Sequence, residues 1–372
     1  MADAYTPKER VLKALAHDEA DRVPIYITVT PQVAAALSHR LGMDSYTHAD
    51  SPLSENRISF HELLLELGND FIGTGACAPI TAPTTEVEPG IFVDEWKVVY
   101  RKIGDYSEMI EYPLAHASTM ADVDRYEFPD PEAPGRFKLA HETFERYGEE
   151  YAICGDLECT VFEAAWHLTG MEKFLTDLLD GKPYVYALMD RIADYSVGVG
   201  RELLWLGADM IWLGDDMGTQ TGMLLSPDLW RRHIKPRLAS VIERLKAEDS
   251  MVLFAYHCCG SFYPIVADLI EIGIDVLNAL QPTAKDMDIG RLKREYGDWV
   301  CLWGGVDIQG VVPFGTMDDV EEEVKRVMRE AAVGGGYIFG GAHNIQPDTS
   351  VEKVIALFEL AKKYGRYPIS GV

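Results

Sequence analysis

Eight short apolar runs, rich in β-branched residues and separated by stretches with helical periodicity, constrain this chain more than any other feature. They are RVPIYITV (22–29), DFIGTG (70–75), YAICGD (151–156), DMIWLGDD (209–216), MVLFAYHCC (251–259), IDVLNALQ (274–281), VCLWGGVD (300–307) and GYIFGGAH (336–343). Runs of this length and composition read as strands. Their near-continuous apolar character marks strands covered on both faces, the habit of parallel strands under helices. The intervening helices have readable starts. Ser226-Pro227 sets a cap and a first-turn proline before a long helix, and Thr349-Ser350-Val351-Glu352 reads as a capping box. Eight such units predict an α/β protein with a (β/α)8 TIM barrel. An open doubly wound sheet is the alternative, and it loses weight because no GxGxxG or GxxxxGK[ST] run follows a strand.

Two stretches lie outside this alternation. TPKERVLKALAHDE, with Thr6 and Glu9 as a capping box and Pro7 in the first turn, predicts an extra helix ahead of strand one. Residues 76–135 are rich in proline, threonine and charge, and TEVEPGIFVDEWKVVYRKI reads as an antiparallel β excursion after strand two. No linker, repeat or low-complexity tract interrupts the chain, so a single domain over 1–372 is expected.

Charge narrows the partners. With 34 Lys and Arg against 60 Asp and Glu, the formal charge is −26, which repels phosphate backbones and anionic membranes. Small molecules and proteins are the expected partners, with neither nucleic acid nor membrane. No apolar run approaches the roughly 20 residues that span a bilayer, and the start Met1-Ala-Asp-Ala lacks a basic leader, which predicts a cytoplasmic location. The cysteines Cys77, Cys154, Cys159, Cys258, Cys259 and Cys301 are few for this length and are expected to be free thiols.

A barrel does its chemistry where its strands end. The polar residues closing the runs are Asp156, Asp215 and Asp216 with Gln220, then His257 to Cys259, Asn278 and Gln281, Asp307 and Gln309, and His343 with Asn344 and Gln346. Strand period two puts His257 and Cys259 on one face, where imidazole and thiolate form half of a zinc-like site, and turns Cys258 outward. Two ligands do not hold a metal, so His343 and a carboxylate from strand four are the best further donors. Strand eight lies nearly opposite strand five, so such a metal must sit well inside the mouth. Bland readings stand beside these. HCC could be the tail of a buried strand, Asp215-Asp216 could cap a helix or pair with an arginine, and Asn344 and Gln346 could form turns. Trp166, Trp205, Trp212, Trp230 and Trp303 are assigned to packing.

ERVLKALAHDEADRVPI, FEAAWHLTGMEKFLTDLL, GDDMGTQTGMLLSPDLWRRHIKPRL, HCCGSF, LWGGVDIQ and GGAHNIQPDTSVEKVIALFELA together give the chain a nearly full-length resemblance to the uroporphyrinogen decarboxylase superfamily, and more closely to its corrinoid-dependent methyltransferase branch. True decarboxylases carry an arginine-rich stretch after the first strand to hold the carboxylates of the porphyrinogen. Here that stretch is TVTPQVAAALSHRLG, which argues against a polycarboxylate tetrapyrrole. The HxCG stretch is similar to the methyltransferase zinc motif of His, Cys and a later Cys. The resemblance implies His257 and Cys259 as the first two ligands. Ala342-His343 stands where the later cysteine falls, so His343 is expected to replace it.

It further implies zinc as a Lewis acid, cobalamin on a partner corrinoid protein and a small methylated substrate; a homodimer is a separate expectation. Strand-end position assigns Asp216 and Asp307 to catalysis, and Asp156, Asp215, Gln220, Gln309 and Asn344 to substrate binding. The alternatives are a metal-free decarboxylase using Asp215 or Asp216 and a non-catalytic corrinoid-handling protein.

Overall fold

A computed structural model describes residues 4–43, 46–51, 54–104 and 106–370. Its centre is a curled, seven-stranded parallel sheet. Phe71–Gly75, Ala152–Glu158, Met210–Gly214, Leu253–His257, Val276–Leu280, Cys301–Val306 and Tyr337–Gly341 pair in chain order, with helices in the connections. Period two divides each strand. Met210, Trp212, Cys301 and Trp303 point inward, while Ile211, Leu213 and Leu302 pack beneath the helices.

The eighth position departs from the expected regular strand. Residues 22–29 run between the sheet's two edges but make only isolated bridges, Ile25 to Phe339 and Val29 to Ile345. On one side Tyr26 N donates to Phe339 O at 2.9 Å, and Phe339 N donates to Pro24 O at 2.9 Å. On the other side one backbone bond remains, Asp70 N to Ile25 O at 2.8 Å, and a side chain continues it: Ile27 N donates to Asn69 Oδ1 at 2.9 Å, and Asn69 Nδ2 donates to Ile27 O at 3.0 Å. Pro24 has no N–H to give, so a full ladder is unavailable here. The result is a TIM-like barrel sealed by a patched seam.

Beneath the seam, buried Asp70 binds both flanking arginines. It accepts from Arg10 Nη1 and Arg22 Nη1, each at 2.6 Å, and from Ile25 N at 2.7 Å. Above it, aromatic rings plug the barrel: Tyr26 stacks on Phe71 at 4.0 Å, and Trp303 meets Trp212 edge-on at 4.4 Å. Trp212 and Trp303 are thus interior packing.

Pro7–Leu15 precedes the barrel, with Glu9 N donating to Thr6 Oγ1 and Thr6 N donating back to Glu9 Oε2. Thr85–Glu88, Ile91–Val93, Val99–Ile103 and Tyr106–Glu111 form a separate four-stranded antiparallel sheet. The bidentate pair of Arg136 with Glu95, both bonds at 2.6 Å, fastens this sheet to the chain that follows. The single long helix expected after Ser226 is two, Pro227–His233 and Lys235–Glu248. Pro236 is the reason, since it supplies no N–H to the turn before it. The last helix starts at Val351, and its cap is Ser350 rather than Thr349.

Replacing Asp70 by alanine removes the buried carboxylate that two buried guanidinium groups share, leaving Arg10 its pair with Asp21. Asp70→Ala is expected to lose about 3–5 kcal/mol, read from denaturation midpoints. Asp21→Ala, which leaves Arg10 its bond to Asp70, should lose less.

Candidate metal centre at the barrel mouth

The last five strands stop one or two residues before their apolar runs do, which moves several expected residues from strand ends onto the first turn of the following loop. Leu253–His257 ends at His257, and Cys259 lies just beyond it. The turn still returns the thiol to the imidazole, with Cys259 Sγ 3.5 Å from His257 Nε2. Gly260 makes this possible. It sits at φ 72°, and a side chain there would collide with the backbone of Gly218 and Thr219. Asp216 fixes the same turn by accepting from Cys259 N at 2.6 Å. Cys258 faces away, fully buried, with Met217 N donating to its sulfur at 3.2 Å.

His257 is oriented from behind. Its Nδ1 lies 2.6 Å from Asn278 Oδ1, so Nδ1–H donates there and leaves the Nε2 lone pair facing the mouth. His343 arrives from the loop after Tyr337–Gly341, its ring 5.6 Å from that of His257. One donor atom each from His257, Cys259 and His343 lies within 4.8 Å of the others. Burial, with His257 alongside, pushes the His343 imidazole down to about 4, which keeps it neutral with a lone pair to give. Burial and the nearby Asp216 push the Cys259 thiol far up, so its thiolate requires a cation beside it. Two imidazoles and a thiolate are zinc donors, and this set fits that ion.

Carboxylates crowd the trio. Asp216 Oδ1 and Glu158 Oε1 lie 3.8 and 3.9 Å from His257 Nε2. Gly214 permits the approach, because a methyl group there would press on both His257 and Glu158 at about 3 Å. Arg57, buried, answers part of this charge. Its Nε donates to Asp156 Oδ2 at 2.5 Å, its Nη1 pairs with Glu158, and its guanidinium lies over Trp212 at 5.5 Å. Glu158 is nonetheless held above the usual carboxylate range by its burial, against the pull of Arg57 and His257. Buried Glu163 is held well above it too, by burial and by Asp216 and Glu158.

Among the expected residues, His257, Cys259, His343, Asp216, Asp156 and Asn344 gather at this mouth. Asn344 shares a small cavity with His257, Asn278, His343, Arg57 and Trp212, and Asp156 accepts from Ser54 Oγ as well as Arg57. Others are committed elsewhere. Asp215 is fully buried and accepts from Val161 N and Glu163 N, capping Phe162–Thr169; burial raises it to about 7. Asp307 accepts from the N–H groups of Gln309, Gly310 and Val311 and caps a short helix. Gln220 and Gln309 meet Thr283 on the exposed rim. Sequence reasoning missed Arg57, Glu158 and Glu163. Arg57 sits in the four-residue helix Glu55–Ile58, away from any strand end, and carries no local signal.

The family model described as uroporphyrinogen decarboxylase (URO-D) matches residues 107–364. The methylcobamide:CoM methyltransferase MtbA of Methanosarcina mazei is 24% identical over 366 residues, covering 97% of this chain and 98% of that protein. Its namesake in Methanosarcina acetivorans is likewise 24% identical, with the same coverage. The uroporphyrinogen decarboxylase of Pelodictyon phaeoclathratiforme is 26% identical, but over 37% of the chain and 38% of its own length. In structure, a methyltransferase from Methanosarcina mazei superposes with a TM-score of 0.67 at 22% identity, covering 97% of this chain and 99% of that one. With 107–364 matched, a stretch that holds His257, Cys259, His343 and the final helix, the chain belongs to the uroporphyrinogen decarboxylase (URO-D) family.

Proposed function

We propose that this protein is a corrinoid-dependent methyltransferase that moves a methyl group between a small methylated substrate and the cobalamin of a separate corrinoid protein. The observation that carries the reading is the convergence of His257, Cys259 and His343 at the mouth. Full-length similarity to proteins named as methylcobamide:CoM methyltransferases supports it. Bound there, zinc supplies Lewis acidity toward an oxygen, nitrogen or sulfur of the methyl donor, while the corrinoid carries the methyl group itself.

The chain's own residues do the rest. Asn278 holds the His257 tautomer, and the Gly260 turn with Asp216 holds Cys259. Asp216, half-exposed beside the trio, is placed to hold or release a proton at the leaving heteroatom. Arg57 ties Asp156 and Glu158 down, so that the mouth presents a fixed field. Two imidazoles with one thiolate leave more positive charge on a divalent ion than two thiolates do. That favours activating a donor's heteroatom over stabilising a bound thiolate, and sets the direction as removal of methyl from the small substrate. A metal-free decarboxylase fits less well. Asp215 is spent on a helix cap, and Arg57 is engaged by two carboxylates of the protein itself.

His257→Ala and Cys259→Ala are each expected to lose one zinc equivalent by elemental analysis and to abolish methyl transfer with a corrinoid protein. Full transfer in either variant, or turnover of uroporphyrinogen by the wild type, overturns the reading. Asn278→Ala should keep the fold but weaken zinc binding at this site by ~10–100-fold in chelator competition. Asp216→Asn keeps an acceptor for Cys259 N, so zinc should remain while transfer slows by ~10²-fold or more.

A further inference from the structure

A second group of donors lies behind the mouth and plays no part in the reading above. Cys159, Glu163 and His167 recur every four residues. Phe162–Thr169 puts Glu163 and His167 one helical turn apart on one face. Cys159 reaches them because the chain turns between strand and helix at that residue, which takes the left-handed conformation with φ 64°. One donor atom from each of the three lies within 4.8 Å of the other two, and all three residues are buried.

His167 gives the independent sign that something is missing from this cluster. It is 7% exposed, and among the described residues its Nδ1 has no hydrogen-bond partner. A buried polar atom left unpaired is costly, a penalty that a bound cation removes. Glu163 is also prepared on one side. Its Oε2 accepts from Asp216 N at 2.9 Å, which pins the carboxylate and leaves the other oxygen for an ion.

We propose that Cys159, Glu163 and His167 form a second divalent-metal site, of zinc-type donor chemistry and separate from the trio at the mouth. Thiolate, carboxylate and imidazole are all zinc ligands, whereas calcium and magnesium select oxygen. Access is available, since Cys159 lines a cavity of about 80 Å3 between the strand end and the antiparallel sheet at Trp96. That cavity has room for a water as fourth ligand. The two sites share no residue but are joined by Asp216, whose N–H meets Glu163 and whose carboxylate meets Cys259 N. An ion at the second site therefore fixes the segment that positions Asp216 at the first.

Cobalt(II) titration of the full-length protein, metal-free at the start, tests this through the thiolate-to-cobalt absorption band. Wild type is expected to take up two equivalents, and the double variant His257→Ala, Cys259→Ala to keep one equivalent with its band. Adding Cys159→Ala to that double variant should remove both. Cys159→Ser alone should lose one equivalent while the band from the mouth persists, which also shows that the variant folds. A single wild-type equivalent that vanishes in the double variant overturns the second site. So does a band in the double variant that survives Cys159→Ala. A single equivalent that survives the double variant and is lost with Cys159→Ala supports the second site and overturns the one at the mouth.

Discussion

Everything at the mouth depends on closing the barrel, and the closure rests on a segment that cannot form a normal strand. Residues 22–29 carry Pro24, which removes a donor toward Tyr337–Gly341, and on the opposite edge the Asn69 side chain bonds Ile27 beside the backbone bond of Asp70 N to Ile25 O. Asp70 then binds Arg10 and Arg22 beneath the seam, with Asp21 holding the other side of the Arg10 guanidinium. Once closed, the seam fixes the chemistry above it. Tyr26 lies among Phe71, Trp212 and Trp303 and donates its hydroxyl proton to Arg57 O at 3.1 Å. The same edge carries Tyr337–Gly341, whose loop delivers His343 toward His257. The bottom of the barrel therefore sets the positions of both an arginine and a histidine at its top.

The architecture was largely legible in the sequence because burial on both faces leaves an unmistakable mark. Seven of the eight apolar runs mark the strands of the sheet, six of them containing a strand shorter than the run, while Ala152–Glu158 runs two residues past YAICGD. The first run was the hardest to read, since RVPIYITV has the composition of a strand and its proline acts only through what the neighbouring edge requires. The helix after Ser226 was misjudged for a related reason: Trp230 and Leu238 sustain the apolar rhythm across the break that Pro236 enforces. In both places hydrophobic pattern recorded what is buried, while proline decided what is bonded.

The mouth was legible where chemistry and strand position coincide, as at His257, Cys259, His343 and Asp216. It was illegible where a residue arrives from elsewhere. Nothing about SENRIS announces that Arg57 lies beneath Asp156 and Glu158, because that contact is made by tertiary packing alone. Position also misled. Asp215 and Asp216 are adjacent at one strand end, yet Asp215 caps a helix within the wall and only Asp216 faces the metal donors. Alternation along the chain separates neighbours of identical chemistry.

The electrostatic cost of this arrangement gives the donors their meaning. Asp156, Glu158, Glu163 and Asp216 crowd a region largely shut off from water, and burial lifts both glutamates above the normal carboxylate range. Arg57 relieves the pair it touches. What remains is a mouth in which an imidazole is held neutral by burial and a thiol is held protonated by burial and by its acidic neighbours. Each of these shifts disfavours charge in isolation and is reversed by one event, the arrival of a divalent cation. The carboxylates that make the Cys259 thiolate costly in the empty site then become the outer charges that hold the cation there. Acidic crowding and soft donors are thus two halves of one design, since removing either leaves the other without a partner.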